Sequence, residues 1–95
     1  MKAYWVVRGH ILNPDEYGKY IQLAGPIINK YHGTFLSRGG KQEEKEGPGF
    51  ERTVLIEFNS FEEALFCYNS DEYKEALEFV KNSAKRLVVI VEGLH

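Results

Sequence analysis

The sequence predicts an α+β domain with its elements in the order β-α-β-β-α-β. Three observations carry this reading. Four runs are rich in β-branched and aromatic residues and alternate with period two. The stretches after the first and third runs repeat apolar residues at helical spacing, and each opens on a capping residue. The chain has 95 residues, enough for one hydrophobic core, so 1–95 reads as a single domain.

Ala3–Ile11 is the first predicted strand. Asn13-Pro14 then supplies an N-cap and a proline at the first helical position, and Asp15 and Glu16 suit the positive end of the helix dipole. Tyr17, Tyr20, Ile21, Ala24, Ile27, Ile28 and Tyr31 mark the apolar stripe of this first helix. Gly25-Pro26 interrupts it, and the missing backbone donor of proline predicts a kink or break. Gly33 is the expected left-handed residue after the helix. Thr34–Arg38 is a short second strand. Gly39–Phe50 is a long, polar, glycine-rich connection, expected to be mobile or functional, with Glu43-Glu44-Lys45-Glu46 as a solvated tip. Glu51–Phe58 is the third strand. Ser60 and Glu63 form a capping box for the second helix, whose buried face is Phe61, Ala64, Leu65 and Tyr68. Ser70-Asp71 is a second cap, where the helix is expected to restart, with Ala76, Leu77 and Val80 continuing its apolar face. Arg86–Glu92 is the fourth strand. This order is the ferredoxin-like pattern: a four-stranded antiparallel sheet, helices on one face, strand 1 between strands 3 and 4, strand 2 at an edge.

Helices on one face leave the other uncovered. Alternation sorts strand 1 into Trp5, Val7 and Ile11 on one side and Tyr4, Val6, Arg8 and His10 on the other. Val6, Leu55, Val88 and Ile90, with Leu36, are expected on the open face. An apolar patch of this kind marks an interface, and the economical occupant is a second copy of the chain, giving a homodimer.

Composition excludes several classes. Net charge is −2, from 12 basic and 14 acidic residues, so nothing favours a nucleic-acid partner. No apolar run is long enough to cross a membrane, and residues 1–12 lack the features of a signal peptide. A lone cysteine, Cys67, forms no internal disulfide and fits a reducing, cytoplasmic setting. It reads as a small buried hydrophobe, not a nucleophile. His10, His32 and His95 have no metal-ligand spacing, and no cofactor motif is present, so neither metal nor cofactor is expected.

The motifs Lys30-Tyr31-His32-Gly33, Arg38-Gly39-Gly40, Glu57-Phe58-Asn59-Ser60 and Tyr68-Asn69-Ser70-Asp71-Glu72-Tyr73 occur in an order that resembles a bacterial family, "domain of unknown function 1330". The resemblance covers nearly the whole chain. It implies a ferredoxin-like fold that pairs into a dimeric α/β barrel, and it implies no established activity. The barrel superfamily includes cofactor-free monooxygenases, muconolactone isomerases, haem-handling enzymes and stress-response proteins, so fold alone chooses no function. The chain departs from the family pattern at His32, where a second glycine is common, at Asn59, where proline is common, and at Cys67, where an aromatic residue is common.

The candidate site follows from strand pairing. The ends of strands 1 and 2 meet the start of strand 3, which predicts His10, Arg38 and Thr53 at one end of the sheet, on the face away from the helices, with Arg8 one step further in. Arginine would bind a carboxylate or enolate, and His10 would move a proton as the catalytic group. The alternative is that Arg8 and Arg38 pair with Glu57, Glu92 or a carboxylate of a second copy and that His10 ends its strand in solvent. The loop after Gly39 would close over them. Tyr17, Tyr20, Tyr31, Tyr68 and Tyr73 could line a flat apolar pocket, although such residues more often form core. The favoured function is binding of a small anionic or aromatic metabolite between sheet and helices, with cofactor-free oxygenase or isomerase-type chemistry as an option. The alternatives are a sensor without turnover and a structural or interaction dimer without ligand. Whether the protein is an enzyme is left open by the sequence.

Overall fold

Local sequence signals set the element boundaries. The computed structural model describes residues 1–95 and runs β1 (Ala3–Ile11), α1 (Pro14–Lys30), β2 (Thr34–Arg38), β3 (Arg52–Phe58), α2 (Phe61–Tyr68), α3 (Asp71–Leu77) and β4 (Ala84–Glu92). The side chain of Asn13 accepts a hydrogen bond from the Glu16 amide, that of Ser60 from the Glu63 amide, and that of Ser70 from the Tyr73 amide. Each satisfies one of the amide donors a helix leaves unpaired at its start. The second helical region does restart: α2 ends at Tyr68, and Ser70 opens α3 while donating to the Cys67 carbonyl at 2.7 Å.

The sheet is antiparallel with strand order β2-β3-β1-β4, the ferredoxin-like topology. Trp5, Val7, Val54, Ile56 and Phe58 form the sheet's contribution to the core, against Tyr17, Tyr20, Ala24 and Ile28 of α1, Ala64 and Cys67 of α2, and Tyr73 and Ala76 of α3. The Trp5 indole is fully buried, donates to the Ala64 carbonyl at 3.0 Å and stacks at tilted or edge-on angles with Phe58, Tyr68 and Tyr73.

Two expectations about α1 are corrected. Of the kink or break expected at Gly25-Pro26, the break does not occur: α1 is continuous from Pro14 to Lys30. The left-handed residue at its end is His32, at φ 69°, and not Gly33. The His32 amide donates to the Asn29 carbonyl and the Gly33 amide to the Ile28 carbonyl, a Schellman closure centred on His32. Gly33 is needed for space: a Cβ there would lie 2.5 Å from Ile28 Cγ2 and 2.9 Å from Phe58 Cζ.

A third correction concerns β4. Val88 and Ile90 pair with Val7 and Trp5 and pack toward the helices, because directly opposed residues in an antiparallel ladder share a face. The open face instead carries Leu87, Val89 and Val91, which remain 51%, 56% and 46% exposed, together with Val6, Leu55 and Leu36. The apolar open face is present, but its β4 members are the alternate set. No helix is long and apolar enough to cross a membrane.

The left-handed conformation costs a non-glycine residue roughly 1–2 kcal/mol, and glycine's greater unfolded-state freedom takes back part of that. His32→Gly is therefore expected to stabilise the fold by about 0.5–1 kcal/mol, read as an increased midpoint in urea unfolding. A lowered midpoint would show that the imidazole makes an interaction worth more than the strain.

Candidate ligand site

A β-bulge decides where the site lies. Phe35 pairs with Ile56, but Ser37 pairs with Leu55 and Arg38 with Val54, so Leu36 is an extra residue in β2. An unbulged strand would set Arg38 opposite Thr53, on the open face. The insertion moves Arg38 one position along and turns it to the helix side, since a one-residue slip exchanges the faces of a strand. The expected cluster of His10, Arg8, Thr53 and Arg38 is thereby divided.

On the open face, Arg8 and Thr53 are cross-strand partners beside the β2–β3 loop. Arg8 Nη2 donates to Glu44 Oε1 and to the Gly47 carbonyl, both at 3.0 Å, and its guanidinium lies over the Phe50 ring. Glu44 also accepts from the Phe50 amide at 2.8 Å. Glu43, Lys45 and Glu46 are exposed, as expected of a solvated tip, and half-buried Glu44 anchors it. His10 Nδ1 lies 3.1 Å from Glu51 Oε2. Glu51 in turn accepts from the Ile11 amide, and that bond, its own backbone amide and His10 hold its carboxyl below the usual range. Arg8 and His10 therefore each have a carboxylate partner from this chain.

The helix face is different. A cleft between the sheet and α1 has Val7, Val54, Ile56 and Phe35 on one side and Tyr17, Tyr20, Ile21, Ala24 and Ile28 on the other. The polar residues of its lining are Arg38, Arg52 and Arg86, with Tyr17 and Tyr20. The enclosed space is small, about 30 Å³, and it opens to solvent at the mouth of the cleft. Pairing explains the clustering. Arg86 of β4 and Arg52 of β3 flank Gly9 of β1 in one row, and Gly9 leaves the space between them open. Arg38 lies in the next row, its guanidinium 4.2 Å from the Phe35 ring centroid. Gly25 makes room for it: a Cβ there would meet Arg38 Nη2 at 3.0 Å.

None of these arginines forms an ion pair with a carboxylate. Arg52 Nε is buried with no hydrogen-bond partner. Arg86 donates to the Tyr73 hydroxyl at 3.3 Å and lies over the Tyr20 ring at 5.0 Å. Tyr20 and Tyr73 share a 2.6 Å hydrogen bond, and burial raises the pKa of both hydroxyls. Of the five tyrosines singled out from the sequence, Tyr17 and Tyr20 line the cleft. Tyr73 is core, Tyr68 packs on Trp5, and Tyr31 donates to Glu72. Cys67 is fully buried, which pushes its thiol up to about 12 and keeps it neutral.

Sequence reasoning missed Arg52 and Arg86. Their signal was alternation counted from Val54 and Val88: each lies two residues before a valine on the helix side.

The sequence matches the family model "Domain of unknown function (DUF1330)" over residues 2–94. The chain belongs to the DUF1330 family. This DUF1330 protein is similar in fold to a protein of unknown function from Rhodopseudomonas palustris, with TM-score 0.75 and 15% identity, over 99% of this chain and 83% of that one. It is similar to SnoaB, a cofactor-independent oxygenase from Streptomyces nogalater, with TM-score 0.68 and 7% identity, over 99% and 94% of the two chains. It is also similar to a dimeric ferredoxin-like protein of unknown function from Thermobifida fusca, with TM-score 0.61 and 11% identity, over 98% and 92%. No curated protein matches the sequence.

The Glu44 anchor generates a test of the loop. Glu44→Ala removes the ion pair to Arg8 and the acceptor for the Phe50 amide, so trypsin should cut at Lys41 and Lys45 several-fold faster, with the core's unfolding midpoint nearly unchanged. Equal cleavage rates would show that Glu44 does not hold the loop.

Proposed function

We propose that this DUF1330 protein binds a small organic anion with an apolar body in the cleft between the sheet and α1. The observation that carries this reading is the set of Arg38, Arg52 and Arg86 lining one apolar cleft with no carboxylate among its residues. Arg52 and Arg86 are half-buried and Arg38 is exposed. Like charges gathered along one cleft repel one another, and a ligand carboxylate or enolate relieves that cost while gaining charge-assisted hydrogen bonds. The buried, unpaired Arg52 Nε is a donor of the kind such a ligand would satisfy.

The reading is binding first. Cofactor-free oxygenase or isomerase chemistry needs a group that takes a proton from the substrate. The cleft lining contains no Asp, Glu or His, and His10 stands on the other face beside Glu51. In this reading His10 and Glu51 hold the start of β3, and Arg8 and Thr53 hold the loop.

We further propose that the protein is a homodimer paired through the open sheet face. Leu36, Leu87, Val89 and Val91 are each about half exposed or more, next to Val6 and Leu55, and leaving such a surface in water is unfavourable. The Thermobifida fusca protein of the same fold, described as dimeric, supports this.

For the ligand, a thermal-shift screen of aromatic and aliphatic carboxylates on wild type and Arg38→Ala is the direct test. A ligand at a hundred times its Kd stabilises the fold by about 2.7 kcal/mol, which for this size raises Tm by about 10 °C or more. The expected result is a shift in wild type that is lost or greatly reduced in Arg38→Ala. Absence of any shift favours a dimer that acts through its surfaces alone. For the assembly, light scattering at micromolar concentration should give twice the chain mass for wild type and the chain mass for Val89→Glu. A monomeric wild type would refute the pairing.

A further inference from the structure

The hydrogen bonds beneath the cleft have a direction. Tyr73 is fully buried, and its hydroxyl meets two groups: Arg86 Nη2 at 3.3 Å and the Tyr20 hydroxyl at 2.6 Å. Arginine only donates, so the Tyr73 oxygen accepts from Arg86. The Tyr73 proton then has one acceptor within reach, the Tyr20 oxygen. The reverse order, with Tyr20 donating to Tyr73, would leave the buried Tyr73 proton unpaired, at a cost of about 1–3 kcal/mol. The arrangement that satisfies every buried group is Arg86 to Tyr73 to Tyr20. Tyr20, which lines the cleft, is left with a free O–H and an oxygen already accepting. Consecutive bonds running one way polarise each other, so this terminal hydroxyl is a strengthened donor. Burial keeps both hydroxyls protonated.

The cleft therefore has two polar poles. Arg38 and Arg52 stand on the β2 and β3 side, and the Arg86–Tyr73–Tyr20 chain stands on the β4 side, two strands from β3 and roughly 10 Å away between backbones. Gly9 and Val7 of β1 lie between the two poles in the sheet, with Val54, Ile56 and Phe35 on the β2 and β3 side.

We propose that Tyr20 is the second binding point of this cleft and that its ligands are two-headed: an acid group held by Arg38 and Arg52, and a carbonyl, phenolate or enolate oxygen at the far end of an apolar body that accepts from Tyr20. This rests on the anion-binding reading above and narrows its ligand class. A compound with only an acid group satisfies one pole and leaves the Tyr20 donor against hydrocarbon.

The test compares 4-acetylbenzoate with 4-isopropylbenzoate, which share a ring, an acid and a branched substituent but differ in the carbonyl oxygen. Isothermal titration on wild type, Tyr20→Phe and Arg38→Ala is paired with infrared spectra of the acetyl carbonyl bound to wild type. The expected result is that wild type prefers 4-acetylbenzoate by roughly fivefold or more, the worth of one good hydrogen bond. Tyr20→Phe should remove that preference while still binding 4-isopropylbenzoate, and Arg38→Ala should weaken both probes alike. The ketone band should shift to lower frequency on binding wild type, a readout independent of how well Tyr20→Phe folds. If wild type binds both probes equally and the band does not move, the Tyr20 pole is refuted while the anion site stands. If neither probe binds wild type, both readings fall together.

Discussion

The burial of Trp5 is the interaction on which the rest of the structure depends. It lies on a central strand, its ring fully enclosed, and its one polar group reaches the Ala64 carbonyl of α2. An aromatic ring of this size contributes a large share of the hydrophobic stabilisation available to so small a domain. Its hydrogen bond and its contacts with Phe58, Tyr68 and Tyr73 fix α2 and α3 against the sheet. Tyr73 then has one face in the core and its hydroxyl against Tyr20 and Arg86. The packing that stabilises the fold thus also orients the hydroxyl chain under the cleft.

The two faces of the sheet meet their charges differently. On the open face the cations have carboxylate partners: Arg8 with Glu44, His10 with Glu51, Lys2 with Glu57 at 3.9 Å. These are largely exposed pairs of small energetic worth, and they serve mainly to order the loop and the strand ends. On the helix side Arg38, Arg52 and Arg86 have tyrosines, a phenylalanine ring and each other for company. Folding gains little from gathering three guanidinium groups without a counter-charge. That unrelieved charge is what separates the cleft from an ordinary gap between helix and sheet.

Much of the architecture was legible because its causes are local. Asn13, Ser60 and Ser70 cap helices through bonds spanning three residues, and period-two alternation marks a strand wherever it pairs. The site was legible only in part. The sequence marks Arg38 as an anion-binding candidate on the open face, which the bulge at Leu36 reverses, and it does not mark Arg52 or Arg86. Alternation likewise suggests the open face for Val88 and Ile90, where Leu87, Val89 and Val91 lie instead. Alternation along a strand separates two sets of residues but does not say which set faces the helices.

By itself, the sequence determined the order of elements, their caps, the single core and the existence of an apolar open face, since composition and short-range spacing suffice for these. Tertiary structure alone decided the orientation of β4, the bulge at Leu36 and the placement of Arg38, Arg52 and Arg86 along one cleft, Arg52 and Arg86 on either side of Gly9. Register is a property of two strands at once. One residue inserted in β2 exchanges its faces beyond that point, and only the partner strand reveals where the insertion falls.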